Sequence, residues 1–194
     1  ERTRTASVTL IKAGWSLNGR YFSKEVLAEA AHLWDGARAF YNHSSWTSKV
    51  RDVRELFGQY SNVTVDVETG AIIGELKVLA GEDKAWTLIK AAIGNPKPPV
   101  GLSITGIAKT SEGEAEGKKG DVVEAILEAH SCDMVTHPAA GGEFDKLAAA
   151  EEGGLTALLL KHVTKEQLEH DRPDIIEAFK KEWKTVRKEE VKLD

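Results

Sequence analysis

The chain is short of the residues that staple or anchor small proteins. It has one cysteine, Cys132, which excludes an intramolecular disulfide and a zinc site of the cysteine type. No apolar run approaches the roughly 18 residues of a membrane span, and the opening ERTRTASVTL lacks the apolar stretch of a secretory signal. Charge of one sign is scarce as well. The 26 Lys+Arg and 31 Asp+Glu leave a formal −5, which gives no electrostatic footprint for a phosphate backbone. The expectation is a soluble protein of a reducing compartment, with neither membrane nor nucleic acid as partner. Walker, GxGxxG, HExxH and GxSxG motifs are missing, so nucleotide binding, zincin chemistry and an α/β-hydrolase elbow are not indicated. His130, Asp133 and His137 lie close in sequence, but their spacing points them to different faces. No metal and no cofactor are expected.

What is present divides in two. The 194 residues suit one domain with an appendage. Up to about Pro138 the pattern is short β-type segments with Gly-containing turns. Ser7 to Lys12 alternates as a strand, and Asn18-Gly19 signals a turn. Ser23 suits the N-cap of a helix with Val26, Leu27, Ala30, Ala31 and Trp34 on one face, ended by Gly36. ARAFYNH reads as a further strand. Gly58 to Leu79 reads as a hairpin turning at Glu68-Thr69-Gly70, and Glu82 to Ile93 as a second helix ended by Gly94. Val100 to Lys109 and Val122 to Thr136 are strand candidates, and the polar KTSEGEAEGKKG between them reads as a mobile loop. Residues 139–154 read as a Gly-rich linker. From Leu155 the pattern is helical: Thr164 to Gln167 fits a capping box, and Ile175, Ile176, Phe179, Trp183 and Val186 form a stripe. Nine basic and nine acidic residues cancel in this tail, so the −5 belongs to the first part.

Three residues invite chemistry, and each has a plain alternative. In VGLSITG a period of two puts Ser103 with Gly101 and Thr105, a face small enough for a substrate backbone to approach. Taken alone, an ordinary strand serine is the simpler reading. His43 stands where an apolar strand meets a polar loop; a histidine there can serve as a base or merely end the strand. In AILEAHSCDMVTHP the odd positions place Asp133 among Ala125, Leu127, Ala129, Ser131 and Val135. A carboxylate on such a face needs a partner, and a histidine N–H would supply one while fixing the tautomer. Local backbone amides would serve equally. His130 and Glu128 fall on the opposite face, unless a bulge exchanges the assignments.

The order His43, Ser103, Asp133, with its surrounding text, resembles the prohead proteases of tailed phages, which are similar in fold to the herpesvirus assembly protease, assemblin. The resembling segments are GWSLNGRYFSKEVLAEA, AFYNH, VRELFGQYSNV, VGLSITG and SCDMVTHPAAGG, which together span about Val8 to Gly142. The resemblance implies an α+β, mainly β fold: a closed or nearly closed antiparallel β-barrel flanked by helices, covering residues 1–138, then the linker and a C-terminal helical extension over 155–194. It implies a serine endopeptidase with Ser103 as nucleophile and His43 as general base. Many relatives carry a Glu where this chain has Ser131, and the herpesvirus branch uses a second histidine. Asp133 shares the face of position 131 and would orient His43; His130 is the fallback. Backbone N–H groups are the default for the oxyanion hole.

The implied substrates are scaffold and capsid precursors and the chain itself, cleaved inside an assembling procapsid in the host cytoplasm, with self-association open. The linker glycines, Gly141-Gly142 and the stretch Glu151 to Gly154, are where a cleaved bond is expected. A catalytically inactive assembly scaffold on the same fold is the alternative.

Overall fold

The computed structural model describes residues 4–43 and 51–147. The expected helical extension, the last part of the expected linker and most of the polar stretch after His43 lie outside the described residues. In chain order the elements are β1 (Arg4–Ile11), β2 (Gly14–Trp15), β3 (Arg20–Phe22), α1 (Lys24–Ala30), β4 (Arg38–Phe40), β5 (Leu56–Val65), β6 (Ile72–Val78), α2 (Asp83–Ala92), β7 (Gly101–Ala115), β8 (Lys118–Val135) and β9 (Glu143–Leu147). The protein is thus mainly β. One curled sheet runs β2-β3-β8-β4-β5-β6-β1-β9, with β7 paired to β8. β3 and β4 run parallel to β8, and the remaining pairs are antiparallel.

Local chemistry explains most of the elements. The Ser23 hydroxyl accepts from the Val26 amide and caps α1, whose Leu27 and Ala30 are buried. The helical path tightens into a 3-10 turn, Ala31–Trp34, that carries Trp34 into the core. In the β5–β6 hairpin the Asp66 carboxylate accepts from the Glu68 and Thr69 amides, which fixes the turn the sequence announces. α2 buries Ala85, Ile89 and Ala92 at helical spacing. The inner face of the sheet, with Val8, Leu10, Phe57, Tyr60, Ile72, Leu76 and Leu102, closes over Leu27, Trp34 and Ile89 in one core.

Two expectations are corrected. The polar KTSEGEAEGKKG is not a loop: β7 and β8 pair through it to the tip, from Gly101↔Val135 to Ala115↔Lys118. The reversal is made by Glu116 and Gly117, both at positive φ (51° and 72°), which is the backbone of a tight hairpin turn. Ladder hydrogen bonds form here without burial, so no hydrophobic period advertises them. The start of the expected linker is likewise structured. β9 pairs with β1, burying Phe144, and the Ala139 and Ala140 carbonyls accept from the Leu17 and Lys12 amides. The domain therefore continues past 138 to at least Leu147. Gly142 is required by close approach: a Cβ there would stand 2.2 Å from the Leu102 carbonyl oxygen and 2.6 Å from that of Leu10. That approach lets the Leu102 amide donate to the Gly142 carbonyl (2.9 Å) and ties the start of β7 to the chain ahead of β9.

Candidate active site

The site sits at the base of the β7–β8 ribbon, where both strands enter the core. Ser103 lies directly opposite Asp133 in the register. Directly opposed residues of an antiparallel pair project to the same face, so a hydroxyl and a carboxylate become neighbours by strand pairing alone. Leu102 and Cys132 project to the other face and are fully buried, which anchors the pair from behind. The Tyr60 hydroxyl donates to the Cys132 carbonyl (3.0 Å), and burial raises the pKa of both the Tyr60 phenol and the Cys132 thiol. Cys132 is accordingly an inert core group rather than a nucleophile.

β4 delivers the histidine. It runs parallel to the end of β8, and the ladder extends through a bridge between Tyr41 and Met134. The Asn42 amide donates to the Met134 carbonyl (2.9 Å), and Asn42 adopts φ 58°, a left-handed conformation that asparagine tolerates better than most residues. Tyr41 is held from the other side: its hydroxyl donates to Glu82 (3.0 Å) ahead of α2, and burial, with Glu82 second, raises its pKa to about 12. His43, which follows Asn42, is turned over the β7–β8 face.

His43 bridges the opposed pair. Its Nδ1 is 2.9 Å from Asp133 Oδ2, and its Nε2 is 3.0 Å from Ser103 Oγ. With the proton on Nδ1 donating to Asp133, Nε2 presents a lone pair to the serine hydroxyl. Asp133 is fully buried and the His43 side chain is 44% exposed, so the carboxylate is sheltered while the imidazole faces the approach side. The three residues singled out in the sequence are thus brought together. The fallback is not: His130 Nε2 pairs with Glu128 Oε2 (3.0 Å), exposed on the ribbon and away from this cluster. The bulge that could have exchanged its face is present, and His130 still stands apart from the cluster. β8 carries an extra residue between Ser131 and Ala129, and two further shifts follow between Glu128 and Ile126 and between Ala125 and Val123. Each bulge inverts the alternation.

Two more side chains complete the cluster. The Thr105 hydroxyl donates to Asp133 Oδ2 (3.1 Å) and lies 2.9 Å from His43 Nδ1. Its position, two residues after Ser103 on the same strand face, is the signal that could have assigned it. Arg51 donates from Nη2 to the Asn42 carbonyl (2.8 Å), approaches Asp133 Oδ1 at 3.4 Å, and stacks over Phe40 with its guanidinium carbon 4.2 Å from the ring centroid. A lone arginine in a polar stretch carries no such signal. Asp133 thus faces three donors, which answers the cost of burying a carboxylate.

No protein-family model matches the chain, and neither a curated protein nor a solved structure matches it. Among the described residues no helix is long and apolar enough to cross a membrane.

Proposed function

We propose that the chain is a serine endopeptidase that cleaves scaffold and capsid precursor proteins, and itself, during prohead maturation in the host cytoplasm. The observation that carries this reading is the His43 imidazole within hydrogen-bond distance of both the Ser103 hydroxyl and the buried Asp133 carboxylate. The bridge between Leu102 and Gly142 supports the finer fold reading, a nearly closed barrel, because it links the free side of β7 to the far end of the sheet.

In this reading Ser103 Oγ attacks the scissile carbonyl carbon while its proton passes to His43 Nε2. The imidazolium, held through Nδ1 by Asp133, then gives that proton to the leaving amine as the C–N bond breaks. Water repeats the sequence on the acyl-serine: its proton goes to Nε2, its oxygen to the carbonyl carbon, and Oγ recovers the proton as the ester bond opens. Thr105 acts as a positioning residue, since its hydroxyl contacts the two groups that orient the base.

The test is the full chain carrying Ser103→Ala, co-expressed with a capsid precursor. Loss of a nucleophile of this kind lowers the rate by several orders of magnitude, so precursor and chain should both stay uncut. Processing equal to that of the parent chain would overturn the reading.

A further inference from the structure

A cavity of about 90 Å³ opens beside Ser103, which forms part of its wall. The ribbon contributes Ile104, Ala108, Val123 and Ile126, and the core contributes Phe22 and Trp34. Apart from Ser103, the polar lining comes from Ser16 and Asn18 of the turn between β2 and β3 and from Arg20 at the start of β3, the one charged residue of the lining among the described residues. The Ser16 hydroxyl there is already engaged, accepting from the Arg20 amide (3.1 Å).

We propose that this cavity receives one aliphatic side chain of the substrate, up to leucine in size, next to the bond that Ser103 attacks; the inference rests on the protease reading. Size favours a small group. A cavity of about 150 Å³ lined by apolar side chains accepts benzene; at about 90 Å³ this one is smaller, which favours a branched aliphatic group over a phenyl ring. Chemistry sets the class. A lysine or arginine would meet Arg20 as a like charge. A carboxylate would be stripped of water against Ile104, Val123 and Ile126, with its one charged partner, Arg20, exposed on the turn side. An aliphatic group meets neither cost and removes apolar wall from water.

The experiment starts from the cut sites made by the full chain in a co-expressed capsid precursor, mapped by sequencing the new termini, with Ser103→Ala as control. Peptides built on the mapped site are then varied at the residue on each side of the cut bond. At one of the two positions, Val or Leu should raise kcat/KM over Phe, Glu and Lys by about tenfold or more, the range that hydrophobic pockets achieve. Ala108→Leu should lower the Leu-to-Ala ratio of kcat/KM by about tenfold, and Ile104→Ala, which enlarges the cavity, should raise the Phe-to-Leu ratio. Ratios are read so that a general loss of folded protein does not imitate the effect. Ser103-dependent cutting that prefers charged or aromatic residues at both positions would overturn the pocket alone. If no Ser103-dependent cutting occurs, the protease reading falls and the pocket with it.

Discussion

The two ends of the β7–β8 ribbon are built from the same two strands and behave as different materials. From Gly101 to Thr105 the pairing with Ser131 to Val135 is unbroken, and Leu102, Cys132 and Asp133 are fully buried. From Gly106 outward there are three register shifts, and the exposed side chains include Ile107 and Leu127. The base is held on one face by the core and on the other by His43, Thr105 and Arg51. The outer part has no such constraint, so its twist and bulges cost little. Chemistry that needs three side chains held within a few tenths of an ångström is carried by the constrained end.

That contrast can be broken from the base outward. Asp133→Asn keeps the volume but removes the charge that orients and stabilises the imidazolium, and kcat/KM should fall by about 10²–10⁴-fold, measured on a peptide carrying a mapped cut site. Thr105→Val keeps the shape and deletes one donor to Asp133. Its kcat/KM should fall by about tenfold, matching the net worth of one hydrogen bond to a charged group. Thr105→Ser, which restores the hydroxyl, should recover most of it. At the outer end, Lys109→Ala breaks an exposed pair with Glu124 (2.6 Å) and should change neither Tm nor kcat/KM measurably. A large loss there would mean that the outer ribbon shapes the site after all.

The same contrast explains what could be read from the sequence. Period-two alternation works where one face is buried: it puts Ser103 with Thr105 on one face of β7, and Asp133 and Cys132 on opposite faces of β8. It fails beyond Ser131. The bulges set Val123, Ile126, Ala129 and Cys132 opposite Thr110, Ala108, Gly106 and Ile104, so the inward residues recur every three positions and not every two. Reading odd positions as one face therefore misplaces Leu127, which is 58% exposed. The α1 cap and the β5–β6 turn were readable because their signals are local, a serine before an apolar stripe and Glu68-Thr69-Gly70 between two alternating runs. β9 was hidden for a different reason. Gly141-Gly142 looks like linker composition, but Gly142 serves close backbone packing, and a five-residue strand with one buried residue offers no period to detect. Arg51 acts through contacts distant in sequence, which no spacing rule captures.

The claim that His43 activates Ser103 is tested most directly by labelling. A fluorophosphonate probe, which loses fluoride as an activated serine oxygen bonds to phosphorus, is incubated with the full chain, and the adduct is located by peptide mass spectrometry. One adduct on Ser103, absent from His43→Ala at the same protein concentration and still-folded by circular dichroism, is the expected result. Labelling at another serine, or equal labelling of Ser103 without His43, would contradict it.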